Sequence, residues 1–126
     1  MPYLALIAHD GKKHEMIALV KQNRDLLAAH RLVATQTTGG LIESETGLPV
    51  TRMLSGPLGG DLQIGALIAT EQVAAVIFLR DPLTAHPHEP DISALMKVCD
   101  THNIPLATNL ATADLILRWV ARTDAR

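Results

Sequence analysis

Aromatic residues are almost absent from this chain: its 126 residues include one Trp, one Tyr and one Phe. That scarcity removes the stacking platforms on which single-stranded nucleic acids rest. A formal net charge of −2, with no basic run longer than Lys12-Lys13, leaves no footprint for a phosphate backbone either. Nucleic acid is therefore not an expected partner. Cysteine occurs once, and Cys99 falls on the apolar side of a predicted helix, where it reads as a buried structural thiol. No apolar run approaches the length of a bilayer, so no membrane association is expected. Met1-Pro2-Tyr3 leads straight into an apolar run that is cut off by His9-Asp10. A signal peptide is accordingly not expected, and the chain reads as cytoplasmic. HExxH and paired CxxC patterns are missing and no metal site is assigned, although six histidines leave a site built from distant residues open. No G-K-[ST] follows the glycines, which disfavours nucleotide hydrolysis.

What the chain does have is a 48% hydrophobic content with 19% charged residues, enough for one compact domain over 1–126. Apolar runs predict strands at Tyr3–Ala8, Arg31–Ala34, 50–54, 74–79 and 105–107. Between them, apolar residues at helical spacing predict helices over 14–29, over 41–46 closed by Gly47, from the glycine-rich loop to about Glu71, through Ile92, Leu95, Met96 and Cys99, and over 111–120 opened by Thr108-Asn109. The polar tail 122–126 is expected to fray. Strands alternating with helices predict an α/β fold, a three-layer sandwich around a five-stranded, mostly parallel sheet whose strand order is not readable.

Polar residues gather just past each predicted strand: His9, Asp10 and Lys13; Thr35, Thr37 and Thr38; Ser55 to Asp61; Asp81 to His88; Thr108 and Asn109. That edge is where open α/β sheets bind ligands, so the five clusters are expected to converge. Ser55-Gly56-Pro57-Leu58-Gly59-Gly60 suits a sharp turn with exposed main chain, and Asp61 suits the N-cap of the helix after it. Threonine hydroxyls, glycine-rich main chain and Lys13 together describe a nest for a small dianionic phosphate, with Lys12 competing for the lysine's role. Asp10, Asp61, Asp81 and Asp91, with His9 and His88, offer the carboxylate and imidazole that acid–base chemistry divides between a proton acceptor and a donor. Structural alternatives stay open: a plain capped turn at Ser55–Asp61, a turn fixed by Asp81 before Pro82, a helix capped by Asp91, a His9 oriented by Asp10. His86 is the weakest catalytic candidate, and His14, His30 and His102 read as helix-surface residues.

The order A-H-D…K, T-x-T-T-G, S-G-P-L-G-G-D, D-P-L-T-A-x-P-H-E-P-D and I-P-L-A-T-N closely resembles methylglyoxal synthase over nearly the whole chain. The resemblance implies conversion of dihydroxyacetone phosphate to methylglyoxal and inorganic phosphate without metal or cofactor. It implies Asp61 as the general base and His88 acting on the carbonyl oxygen. The substrate would lie against His9, Lys13, Thr35, Gln36, Thr37, Thr38, Ser55 and Gly56, with Asp10, Asp81 and Asp91 supporting that shell. Gln36 and Leu62 stand where the family usually has glycine and glutamine. The family's longer tail, which can bring an arginine to a neighbouring subunit's phosphate site, is shortened here, leaving Arg118, Arg122 and Arg126 as substitutes. A homo-oligomer, commonly a hexamer, and inhibition by phosphate are also implied. Two other readings share parts of this pattern: a phosphate-sensing module similar to the regulatory domain of carbamoyl-phosphate synthetase, and a phosphosugar isomerase.

Overall fold

A computed structural model describes residues 2–124 of the chain. Among them, β1 (Tyr3–Ala8), β2 (Arg31–Ala34), β3 (Thr51–Arg52), β4 (Val73–Leu79) and β5 (Leu106–Ala107) form one sheet in the order β3-β2-β1-β4-β5. Every neighbouring pair is parallel. β1 runs the length of β4, from Leu4 opposite Ala75 to Ala8 opposite Leu79.

Successive residues of a strand face opposite sides, and both sides are covered here. Leu4, Leu6, Leu32 and Ile77 pack under α1 (Lys13–Gln22), α2 (Arg24–Ala28), α3 (Gln36–Thr46) and α6 (Leu110–Asp124), through Met16, Val20, Leu27, Ile42, Ala113 and Leu117. Ala5, Ile7, Val33, Val76 and Phe78 pack on the other side under α4 (Gly60–Ala69) and α5 (Glu89–Thr101), through Ile64, Ile68, Ile92, Leu95 and Cys99. Each such Ile or Leu contributes ~1.5–3 kcal/mol by leaving water. The result is the expected three-layer α/β sandwich. Cys99 is fully buried in it, and burial pushes its thiol up to about 11.

Local differences from the sequence reading have local causes. The helix expected over 14–29 breaks at Asn23, whose side-chain amide donates to the Leu19 carbonyl (2.9 Å) and competes with the main-chain ladder. The strand expected over 50–54 shrinks to Thr51–Arg52 at the sheet edge, and the Leu54 N–H beyond it donates to the Gln63 side chain (2.7 Å). The strand expected over 105–107 begins one residue later, at Leu106. Thr35-Gln36-Thr37-Thr38-Gly39-Gly40 is no loop but the start of α3, with Thr35 at the N-cap and its carbonyl accepting from the Gly39 N–H (2.8 Å). Gly59, not Asp61, caps α4, because its φ of 101° suits glycine alone. Asp61 is instead the second residue of that helix. α4 stops at Ala69 rather than near Glu71, which takes a φ of 61° in the following turn. α6 continues to Asp124 instead of fraying from 122, and Asn109 caps it by accepting from the Thr112 N–H (3.0 Å).

Candidate active site

The chain steps outward from β1 to β2 to β3, then returns to lay β4 against the other side of β1. Loops leaving the carboxyl ends of β1 and β4 therefore part in opposite directions, and the crevice they leave is where such sheets hold ligands. A cavity of about 320 Å³ lies there, lined from the segments that follow β1, β2, β3 and β4.

One side of the cavity is built to receive an anion. A 3-10 turn over Asp10–Lys12 rotates Lys13 inward, where its ammonium donates to the Ala8 carbonyl (2.7 Å) and lies 3.2 Å from the exposed Asp10 carboxylate. Lys12 turns the other way, to Glu15 (3.6 Å). Thr35 and Thr37 bring hydroxyls to the N-terminus of α3, and Thr35 makes no cap bond to its own helix. Ser55 and Gly56 open a second 3-10 turn, Gly56–Leu58. Ammonium, hydroxyls and the positive end of a helix converge on one space.

The other side holds the titratable groups. Asp61 is 1% exposed, and neither carboxylate oxygen has a hydrogen-bond partner among the described residues. Its nearest ionic neighbour is His88 Nε2, at 3.6 Å. Burial raises its pKa above the ordinary 3.8; His88 opposes the shift and Asp91 adds to it. A carboxylate deprived of water and donors is a strengthened proton acceptor. A methyl group at Gly56 would sit 2.9 Å from His88 Nε2 and 3.5 Å from Asp61 Oδ1, so only glycine lets that turn approach the pair.

His9 is also buried. Its Nδ1 accepts the Asp81 main-chain N–H (2.8 Å), which in the neutral ring leaves the hydrogen on Nε2, an atom without a partner among the described residues. Burial first, then His86, His88 and Arg80, lower its pKa to about 4, against the pull of Asp81. His9 is therefore a neutral donor at neutral pH.

The structure gathers His9, Asp10, Lys13, Thr35, Thr37, Ser55, Gly56, Asp61 and His88 around the cavity, and leaves six expected residues off its wall. Gln36 is exposed on α3, while Thr38 is buried beside the sheet with its hydroxyl unpartnered. Asp81 turns its carboxylate to the Leu83 N–H (3.2 Å) and the Thr84 hydroxyl (2.7 Å); Thr84 foremost holds its pKa below the ordinary value. Asp91, in the first turn of α5, acts on Asp61 through its charge. Thr108 and Asn109 do not converge with the rest. They border a separate hollow with Lys12 and Arg80, since β5 lies beyond β4.

His86, the weakest catalytic candidate of the sequence reading, is nevertheless placed at the site. It lines the cavity with its ring stacked on that of His9. A loop histidine among three prolines carries no periodicity that could have exposed it. α6 ends away from the site, its Trp119, Val120 and Thr123 bordering Pro2, Leu4 and Ala74 at the opposite sheet edge. Arg118, paired with Asp114 (2.8 Å), and Arg122 go with it, and Arg126 lies outside the described residues. No trio of His, Cys, Asp or Glu among the described residues is placed to hold a metal ion, and no helix among them is long and apolar enough to cross a membrane.

The family model described as the MGS-like domain matches residues 15–108. A methylglyoxal synthase of Cupriavidus metallidurans is 62% identical over 96% of this chain and 86% of its own length. One from Thermus thermophilus is 58% identical over 97% of both. The crystal structure of methylglyoxal synthase from Elizabethkingia anophelis superposes with a TM-score of 0.86 at 46% identity, covering 92% of this chain and 76% of that one. With the cavity, the sheet order and these likenesses in agreement, the chain belongs to the methylglyoxal synthase family of lyases.

Proposed function

We propose that the protein, acting as a single methylglyoxal-synthase-like domain, converts dihydroxyacetone phosphate to methylglyoxal and inorganic phosphate, with Asp61 as the base. One observation carries the reading: a buried carboxylate with no donor on either oxygen faces a cavity whose far wall offers an ammonium, hydroxyls and a helix N-terminus. The phosphate group of the substrate would lie against Lys13, Thr35, Thr37, Ser55 and Gly56, leaving the hydroxymethyl carbon toward Asp61. Asp61 takes a proton from that carbon, and the electron pair moves onto the carbonyl oxygen to give an enediolate. His88 and the Nε2–H of His9 stabilise the oxygen as its charge develops. With that oxygen protonated, the hydroxyl on the carbon facing Asp61 gives up its proton and its electrons form the aldehyde; the double bond shifts, the carbon–oxygen bond to phosphate breaks, phosphate leaves with the electron pair, and the remaining enol takes a proton on its methylene carbon to become methylglyoxal.

Whether phosphate departs or stays, as it would in an isomerase, is set by the angle of that bond. Held out of the enediolate plane it overlaps the π system and is expelled; held in the plane it is kept. Clamping from three separate segments supports the first arrangement. Gln36 and Thr38 act on the clamp through α3, and Asp10, Asp81 and Asp91 support Lys13, His9 and Asp61 in turn. Free phosphate would occupy the same nest and inhibit. The family likeness extends the proposal to a homo-oligomer, a hexamer, in the cytoplasm; exposed Leu58, Leu62, Leu83 and Trp119 supply apolar surface for subunit contact.

The test is to incubate the protein with dihydroxyacetone phosphate and follow methylglyoxal and phosphate together. Equal amounts of both, lost in Asp61→Asn, are expected; triose interconversion without phosphate release, or binding without turnover, contradicts the proposal.

A further inference from the structure

His86 occupies the one position that the motif D-P-L-T-A-x-P-H-E-P-D leaves open, and no step above uses it. Its placement is nevertheless specific. The ring lies nearly flat on His9, with centroids 3.7 Å apart and planes 26° from parallel. Its Nε2 is 3.4 Å from the Asp81 carbonyl, while the N–H of the same residue holds His9 Nδ1 at 2.8 Å. Residue 81 thus tethers both imidazoles and sets them face to face.

Two other rings stand nearly perpendicular to His9: Phe78 at 5.1 Å and 79°, His88 at 5.9 Å and 90°. A turn of the His9 ring about its own axis would break the Asp81 bond and swing Nε2–H away from the cavity. The His86 ring covers a face that such a turn must sweep.

We propose that His86 is a positioning residue, whose stacked ring keeps His9 in the one orientation and tautomer that presents Nε2–H to the substrate oxygen. The charges facing His9 are compatible with that role. His86, His88 and Arg80 disfavour a proton on its Nδ1, and the opposing Asp81 carboxylate is engaged by Leu83 and Thr84. The inference rests on the reading of His9 as a donor given under Proposed function, and the experiment separates the two.

His86→Ala removes the stacked face; His86→Phe keeps a flat ring and removes the nitrogens. For each variant and the wild type, kcat and KM with dihydroxyacetone phosphate are measured, and ¹⁵N NMR of histidine-labelled protein at neutral pH reports the His9 tautomer. The expected result for His86→Ala is a kcat about tenfold lower with KM changed less than about threefold, a loss in the range that misplacing one catalytic group produces. Its His9 signals should shift from bare Nδ1 and protonated Nε2 toward an average of tautomers, and His86→Phe should restore both readouts. Unchanged His9 signals in His86→Ala overturn the inference, as does an equal loss of kcat in both variants with the tautomer intact, which would mean direct contact with substrate. An averaged tautomer with undiminished kcat upholds the stacking role and instead refutes His9 as donor.

Discussion

Replacing Asp61 with Asn should make the protein more stable while it stops working. The side chain is 1% exposed and both of its oxygens lack partners, so its ionised form gives up water and receives no hydrogen bond in return. His88 Nε2 at 3.6 Å is too distant to supply one. Asn has the same shape without the charge. Since leaving a buried polar group unpaired costs ~1–3 kcal/mol and more when it is charged, the exchange should gain about 1–2 kcal/mol at neutral pH. For a chain of this length that corresponds to a rise in Tm of about 3–10 °C. The pH dependence follows from the direction of the pKa shift. Between 3.8 and the raised value, the folded protein holds a proton that the unfolded chain has released, so stability contributed by this group falls as pH rises through that window. The advantage of Asn should therefore be full above the raised value, shrink as pH falls through that window, and be gone below pH 3.8, where aspartic acid is neutral in both states. Thermal unfolding of both proteins across that range, beside an activity assay, is the measurement. A variant that is less stable at neutral pH, or whose advantage does not change with pH, refutes the reasoning. Loss of the base should cost ~10²–10⁴-fold in kcat.

Gly56→Ala should fold nearly normally, because the atoms it meets belong to movable side chains, yet lower kcat by ~10-fold or more through displaced His88, as steady-state kinetics would show. Lys13→Met should raise KM ~10–100-fold, the value of one charge-assisted bond to phosphate, with a smaller change in kcat. The pH profile of kcat/KM should lose activity on the acid side as Asp61 takes up its proton, with a midpoint above 3.8. Asn109→Ala should cost ~1 kcal/mol in denaturant unfolding through the lost α6 cap, and leave turnover unchanged because the residue lies off the cavity.

Much of this was legible in the chain. Unbroken apolar runs such as Ala75-Val76-Ile77-Phe78-Leu79 declare strands covered on both faces, and polar clusters after them mark the ligand edge. What the sequence could not say is which clusters meet, because that depends on strand order. Thr108 and Asn109 drop out only because β5 pairs with β4 rather than with β1. Lys12 and Lys13 are equivalent until a three-residue 3-10 turn points one at Glu15 and the other at the Ala8 carbonyl. Asp61 is named by the sequence both as a cap and as a base, and it is no cap, since Gly59 holds that place. A carboxylate at a helix start has two uses, and only its burial and its unpaired oxygens distinguish a base from a capping group. The stack of His86 on His9 has no sequence signal at all, since it joins residues from two loops through the backbone of Asp81.

Everything at this site turns on the Asp61 carboxylate removing a carbon-bound proton from the triose. Turnover of dihydroxyacetone phosphate deuterated at the hydroxymethyl carbon, compared with the ordinary substrate in wild type and in Asp61→Asn, addresses it directly. Slower release of methylglyoxal and phosphate from the deuterated substrate in the wild type, with neither product formed by a folded, phosphate-binding Asp61→Asn, is the predicted result. Release of both products by the variant at the wild-type rate would contradict the claim.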